Sequence, residues 1–219
     1  NHTFAASEFN FTDVDGDSLD HISIETLPSN GTLLLSGNAV SAGDQISVAN
    51  ISNLVFRPVA NANGDDYDTF TFSVNDGTVD SGTYTMTIDV TAVNDAPLAT
   101  DDADAVNEDA TITESSGSEL LVADDTDTDG NTLTVTQIAI TGGSNSSVTS
   151  STTYSNGTSI TGTYGTLTVG ANGSYTYVAD QSASDDLDAS DLATDSFTYT
   201  VSDGDATDTA TLIFTITGV

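Results

Sequence analysis

Lysine and cysteine are missing from these 219 residues, and Arg57 is the single basic side chain set against 34 Asp and Glu, for a formal net charge of −33. Charge of one sign at that density repels itself and destabilises any compact state. With no lysine to form ion pairs, compensation is expected from bound cations. Backbone contacts to nucleic acid and attraction to anionic lipid both rest on Lys and Arg, so neither partner is expected. The missing cysteines exclude disulfides and thiolate metal sites, leaving packing and ions to hold a secreted chain together. There is no tryptophan, and no apolar run approaches the roughly 20 residues of a membrane-crossing helix, so no membrane insertion is expected. No signal-peptide pattern opens the chain, which starts without Met and is read as a piece of something longer.

What is present is enough for a folded protein. Hydrophobic residues make up 37% of the chain, and its length suits two domains of about 100 residues, a common size for a β-sandwich. The division falls in Ile88 to Asp104. Ile88, Val90 and Ala92 alternate with polar or outward positions as in a half-buried strand. Asn94-Asp95-Ala96-Pro97 then ends it, because Pro97 donates no ladder hydrogen bond and biases its predecessor toward extended backbone. Two modules are expected, 1–96 and 97–219, joined by a linker that carries acidic residues up to Asp104.

Short alternating strands separated by turn signals predict an all-β fold, with a β-sandwich in each module. Pro28-Ser29-Asn30-Gly31 and Ala171-Asn172-Gly173 supply the positive φ of tight reversals. Strands are expected at 21–27, 33–36, 45–48, 54–59, 69–74 and 83–93, then at 105–113, 120–123, 133–140, 165–169, 175–178, 197–201 and 209–217. The polar stretch 142–159 reads as a hairpin tip or loop, and 180–195 as an acidic connection with a short helix near 186–192. Two octapeptides repeat: Phe70-Thr71-Phe72-Ser73-Val74-Asn75-Asp76-Gly77 and Phe197-Thr198-Tyr199-Thr200-Val201-Ser202-Asp203-Gly204. Asp15-Gly16-Asp17-Ser18-Leu19 likewise matches Asp129-Gly130-Asn131-Thr132-Leu133.

These motifs carry a resemblance. DVDGDSL, LPSNGTLLL, FTFSVNDG and VTAVNDAP are similar to bacterial cadherin-like repeats of long secreted adhesins. YGTLTVGANGSYTY with DSFTYTVSDGDATDTATLIFTITG resembles a VCBS repeat, a module of giant RTX adhesins exported by type I secretion. The resemblance implies two tandem Ig/cadherin-like β-sandwich modules joined end to end by a short Ca²⁺-binding linker, in an extracellular chain at the bacterial cell surface. It implies Ca²⁺-stiffened spacer repeats that support adhesion or biofilm formation, with neighbouring repeats of the same chain as partners and a monomeric state. The first module starts just before its DVDGD loop, so its opening strand is shortened or absent.

In a sandwich whose termini lie at opposite ends, acidic loops gather at the module ends. Asp125, Asp127, Asp129 and Asp203 are placed beside Asn94, Asp95, Asp102 and Asp104 of the linker, and Asp65, Asp66 and Asp68 at the end of the first module. Asp13, Asp15, Asp17 and Asp76 are placed at its other end. Oxygen-only donors suit Ca²⁺ rather than Zn²⁺ or Mg²⁺. The plainer reading of the Asp-Gly loops is turn chemistry, and of Asp65, Asp66 and Asp68 a solvated loop. Asp185, Asp186, Asp188 and Asp191 are assigned to solvated surface. An EF-hand is rejected, since no Glu follows at the required spacing. Carboxylate pairs are inevitable at this abundance and neither histidine has an implied partner, so the chain is expected not to be an enzyme. The alternative function is binding of a glycan or protein ligand, for which Tyr154 and Tyr164 beside the 142–159 insertion are the candidate platform.

Overall fold

The computed structural model describes residues 1–116 and 121–219, and the chain divides into two compact units, Asn1–Val93 and Asn94–Val219. Each is a pair of sheets with apolar side chains between them.

In unit 1, β1 (His2–Thr3), β6 (Leu54–Pro58), β3 (Gly31–Leu35) and β4 (Asn38–Ala39) form one sheet in that spatial order. The second sheet runs β5 (Gln45–Ser47), β2 (His21–Thr26), β7 (Gly64–Asn75) and β8 (Tyr84–Val90). Alternation places Ile22 and Ile24 of β2 and Phe70 of β7 inward, where they meet Leu33 and Phe56 of the other sheet. Phe4 and Phe70 touch edge to face across the gap at 5.7 Å. The opening strand is short: the alternation of Phe4, Phe9 and Phe11 reads as a strand over 1–12, but after the two residues of β1 the chain makes a 3₁₀ turn, Ala6–Phe9, which drops Phe9 into the core.

Unit 2 has β10 (Thr111–Glu114), β15 (Tyr175–Val178), β14 (Thr166–Val169) and β13 (Thr158–Thr161) in one sheet. Its other sheet is β12 (Ser146–Ser147), β11 (Thr134–Ile140), β16 (Leu192–Ser202), β17 (Thr207–Thr217) and β9 (Asp102–Asn107). The two sheets meet where Tyr177 stacks on Phe214, 4.1 Å between centroids and 11° between planes. β9 runs parallel to β17, with Asp102 opposite Leu212 and Asn107 opposite Thr217. The strand expected at 105–113 is therefore two strands in different sheets, broken at Asp109, whose φ is +60°. Asp102 and Asp104 belong to β9 and not to a linker, because the chain is already laddered there. The strand expected at 120–123 is absent from 121–123, which turn while burying Leu121; Leu120 lies outside the described residues. The helix comes earlier than expected, at Ser182–Asp185, since β16 already begins at Leu192. In the 142–159 stretch, β12 and a 3₁₀ turn, Tyr154–Asn156, hold Val148 and Thr152 buried.

Both units tie a turn between strands to a buried aspartate. Asp68 accepts hydrogen bonds from Ser29 N–H (3.0 Å), Asn30 N–H (2.7 Å) and Thr69 N–H (2.9 Å). Asp195 accepts from Thr163 N–H (2.8 Å), Tyr164 N–H (3.0 Å), Gly165 N–H (3.0 Å) and the Tyr177 hydroxyl (2.7 Å). Donors aimed at an ionised acceptor make strong bonds, so one side chain here does the work of a turn. Gly165 is required at its place, since a Cβ would run into the Tyr177 ring, just as a Cβ on Gly31 would run into Phe56.

Candidate functional site

The acidic loops of unit 2 are built as Asx turns. Asp127 Oδ1 accepts from Asp129 N–H (3.0 Å) and Asn131 N–H (2.9 Å) around Gly130, whose φ is +75°. Asp203 Oδ1 accepts from Asp205 N–H (2.7 Å) and Ala206 N–H (2.6 Å). These bonds from Ala206, then that from the Asn94 amide, hold the Asp203 carboxyl below the ordinary range. Turn chemistry thus takes one oxygen of each aspartate and leaves the other.

The second oxygen of Asp203, together with Asp129, Asp208 and Asp125, stitches down the segment that opens the unit. Asn94 donates to Asp203 Oδ2 (2.8 Å) and accepts from the Asn131 amide (3.2 Å), while Asp95 N–H donates to Asp129 Oδ2 (2.7 Å). Leu98 and Thr126 exchange two backbone bonds of 2.8 and 3.0 Å. Ala99 N–H donates to Asp208 (3.0 Å) and Thr100 N–H to Asp125 Oδ1 (2.7 Å). The expected gathering of Asn94, Asp95, Asp127, Asp129 and Asp203 is present in that these residues bond to one another.

Deeper in, carboxylates sit together with no cationic partner among the described residues. Asp102 is half-buried and takes the Tyr199 hydroxyl at 2.6 Å. Burial pushes its carboxyl up to about 6, opposed by the Tyr199 bond and reinforced by Asp124, Asp125 and Asp101. Asp125, 9% exposed, is also pushed up to about 6, by burial first and then by Asp124 and Asp208. The second oxygens of Asp125 and of Asp127 are buried with no hydrogen-bond partner among the described residues. An orphaned buried acceptor costs about 1–3 kcal/mol and more if charged. This donor set, oxygen-only and under-satisfied, fits a hard divalent cation. Among the described residues no three His, Asp or Glu side chains are drawn close enough to hold a metal ion as they stand.

The other expected ligands are placed differently. Asp104 is spent on the Tyr175 hydroxyl (2.9 Å). Asp68, buried, is spent on the Ser29–Asn30 turn between β2 and β3, whereas Asp65 and Asp66 are exposed, with Asp66 N–H donating to Asp89 (2.7 Å). Asp13 receives Asp15 N–H (2.8 Å) and Asp17 N–H (3.0 Å), the same turn as at Asp127. Asp76 receives Thr78 and Val79 N–H, which lower its carboxyl, Val79 more. Asp101 and Asp124, from the acidic linker and loop expected at this end, stand near Asp102, and Asp208, which was not expected here, stands near Asp125. Asp208 lies on a strand, and the repeat gave no hint of it, since Ser81 stands at the matching place in unit 1. For the alternative reading, Tyr164 packs on the unit 2 core and Tyr154 is half-buried, so no exposed aromatic pair borders the insertion among the described residues.

Comparison with known proteins comes in three parts. No curated protein matches the chain. Human protocadherin-24 EC1-2 aligns over 94% of this chain and 84% of its own, at 16% identity and a TM-score of 0.47. An endo-fucoidan hydrolase of glycoside hydrolase family 107 aligns over 94% of this chain at 18% identity and a TM-score of 0.32, and the chain spans 24% of that enzyme's length. The expectation that the chain is not an enzyme is overturned by the presence of such hydrolases among the similar structures, and it is withdrawn. A likeness at that TM-score identifies no catalytic residue. The bacterial cadherin-like domain family matches residues 94–218, the module that resembled a VCBS repeat. Cadherin-like domains commonly bind Ca²⁺, and bacterial ones are typically extracellular. The match spans more than half of the sequence, and the chain belongs to the bacterial cadherin-like domain family.

Proposed function

We infer that the chain is a pair of Ca²⁺-rigidified spacer repeats from a secreted bacterial cell-surface adhesin, and that the 94–104, 124–131 and 203–208 segments of unit 2 carry the ion-dependent step. The observation that carries this reading is that Asp125, whose second oxygen is buried without a partner among the described residues, stands near the half-buried Asp102, and that Asp127 in the same loop has a second such oxygen. Asp125, Asp127 and Asp102 would hold the cation only once the loops that present them draw closer than they stand here, with Asp101, Asp124 and Asp208 adding to the negative field. A bound calcium ion would supply the positive charge that a chain with one arginine does not.

The residues themselves define what is at stake. The segment from Asn94 to Thr100 has few apolar anchors and is held by bonds to Asp203, Asp129, Asp208 and Asp125. Where those carboxylates repel one another, the loops that present them separate and the segment loosens; where the charge is neutralised, both stay in place. Sites of about 10⁻⁴ to 10⁻³ M affinity are filled outside a cell and empty in the cytosol. Membership of an RTX adhesin, export by type I secretion and a role in biofilms belong to the same proposal and rest on the resemblance of the motifs.

Thermal melts of metal-free protein against millimolar Ca²⁺, with Mg²⁺ as control, test the reading. A site at ten times its dissociation constant adds about 1.4 kcal/mol. The Ca²⁺ increment is expected to shrink in Asp125→Asn and Asp127→Asn. An increment equal for Ca²⁺ and Mg²⁺, or unchanged in both variants, would refute it.

A further inference from the structure

Asparagine is followed by glycine four times, at Asn30-Gly31, Asn63-Gly64, Asn156-Gly157 and Asn172-Gly173. Such a pair can react with itself. The glycine, having no Cβ, leaves its nitrogen unshielded, and that nitrogen can attack Cγ of the preceding carboxamide. Two freedoms are needed: the carboxamide must swing onto the next main-chain nitrogen, and there must be room for the five-membered ring that results. The four pairs differ in both.

At Asn172 the carboxamide oxygen accepts from Ser174 N–H (3.2 Å) and the Ser174 hydroxyl (2.6 Å), and Gly173 N–H, the nitrogen that would attack, is bonded to the Gly170 carbonyl (3.0 Å). At Asn156 the carboxamide oxygen accepts from Thr153 N–H (3.0 Å), and Gly157 N–H is turned to the Tyr154 carbonyl (3.4 Å). Asn30 is held through its main chain: its N–H donates to Asp68 (2.7 Å), and its carbonyl accepts from the Tyr67 hydroxyl and Val59 N–H. Space is short at all three, since a Cβ would run into the Phe56 ring at Gly31, the Val169 carbonyl at Gly157 and the Val122 side chain at Gly173. Asn63 differs on both counts. It is exposed, its carboxamide makes no hydrogen bond among the described residues, and Gly64 has open space beside it at a φ of +152°.

We propose that Asn63-Gly64 is a site of spontaneous covalent modification. The Gly64 nitrogen gives its proton to solvent base and bonds to Asn63 Cγ; the Cγ–Nδ2 bond breaks, ammonia leaves, and a cyclic imide closes. Water then opens the ring. Attack at Cγ breaks the new bond and gives aspartate, whereas attack at the main-chain carbonyl breaks the original peptide bond and gives isoaspartate. Water is the only co-reactant consumed. Either product adds a carboxylate next to the exposed Asp65 and Asp66. Isoaspartate also makes the main chain a methylene longer immediately before β7, where Gly64 pairs with Val90 and Asp66 N–H meets Asp89 at 2.7 Å. This inference concerns unit 1 alone and is independent of the cation reading of unit 2.

The test holds the 219-residue chain at mildly alkaline pH, once folded and once in concentrated urea. Each Asn-Gly pair is followed by mass spectrometry of peptides from a protease that cuts at aromatic residues, with isoaspartate identified by its enzymatic methylation. In the folded chain Asn63 is expected to convert about tenfold faster than Asn30, Asn156 and Asn172, whose bonds must break before they react. In urea the four rates are expected to converge to within about threefold, because the structure that sorts them is lost and glycine follows in every case. Asn63→Gln, which would have to close a larger ring, is expected to remove the fast conversion and leave the other three rates unchanged. Conversion first at Asn30, Asn156 or Asn172, four similar rates in the folded chain, or the same preference for Asn63 in urea would overturn the proposal.

Discussion

Replacing Asp195 probes the strongest polar anchor of unit 2. Its Oδ2 receives Tyr164 N–H, Gly165 N–H and the Tyr177 hydroxyl, and its Oδ1 receives Thr163 N–H. Asp195→Ala strands all four donors at a site 4% exposed. Each orphaned buried donor costs about 1–3 kcal/mol, and the outer two, on Thr163 and Tyr164, regain part of that from water. The sum is about 4 kcal/mol, a large share of the roughly 5–15 kcal/mol of a typical domain. Asp195→Asn keeps the shape and one acceptor. Its oxygen best replaces Oδ2, where three donors converge, and its amide then faces Thr163 N–H, losing that bond and the charge assistance. A cost of about 1.5 kcal/mol is expected. Urea unfolding followed by circular dichroism and by tyrosine fluorescence reads both variants. Alanine within about 1 kcal/mol of the parent, or asparagine as damaging as alanine, would refute the assignment of the carboxylate as the hairpin's anchor. Asp68→Ala should act likewise on unit 1, adding to Asp195→Ala because the two share no partners.

Three further outcomes follow from the same geometry. Asp102 and Asp125 titrate near 6 when folded, above the ordinary carboxylate value, so the folded state binds protons more tightly. Metal-free unit 2 should therefore gain stability as pH falls from 7 toward 4, by about 1 kcal/mol for each group after allowance for solvent screening, and lose it as pH rises through 6; a urea midpoint that falls between pH 7 and 5 would contradict this. Tyr199→Phe removes the hydroxyl shared by Asp102 (2.6 Å) and the Thr100 carbonyl (2.7 Å). It should cost about 1–2 kcal/mol and raise the Asp102 titration further, as read by carboxyl NMR. Gly165→Ala should destabilise unit 2 by more than about 2 kcal/mol through the clash with Tyr177, a melt within 2 °C of the parent being the contrary result.

Much of the fold was legible because alternation and turn chemistry are local. Phe70-Thr71-Phe72 and Phe197-Thr198-Tyr199 announce central strands, and Asn30-Gly31 and Asn172-Gly173 announce reversals, before any tertiary contact is known. What could not be read was set by partners distant in sequence. Asp102 and Asp104 looked like linker because acidic residues are poor strand formers, and only the Tyr199 and Tyr175 hydroxyls make them tolerable in β9. Asp195 looked like the end of a solvated run, whereas three amides some 30 residues away claim it. The turn-forming aspartates of the site were visible in the Asp-Gly spacing. The burial of Asp125 was not, since it depends on the bridge between Leu98 and Thr126.

The central claim is that calcium stiffens this chain, and small-angle X-ray scattering of the 219-residue protein in excess chelator and then in millimolar Ca²⁺ tests it most directly. The expected result is a narrower, more extended distance distribution in Ca²⁺ that Mg²⁺ does not reproduce and that Asp125→Asn with Asp127→Asn abolishes. A distribution identical in chelator and in Ca²⁺ would contradict the account.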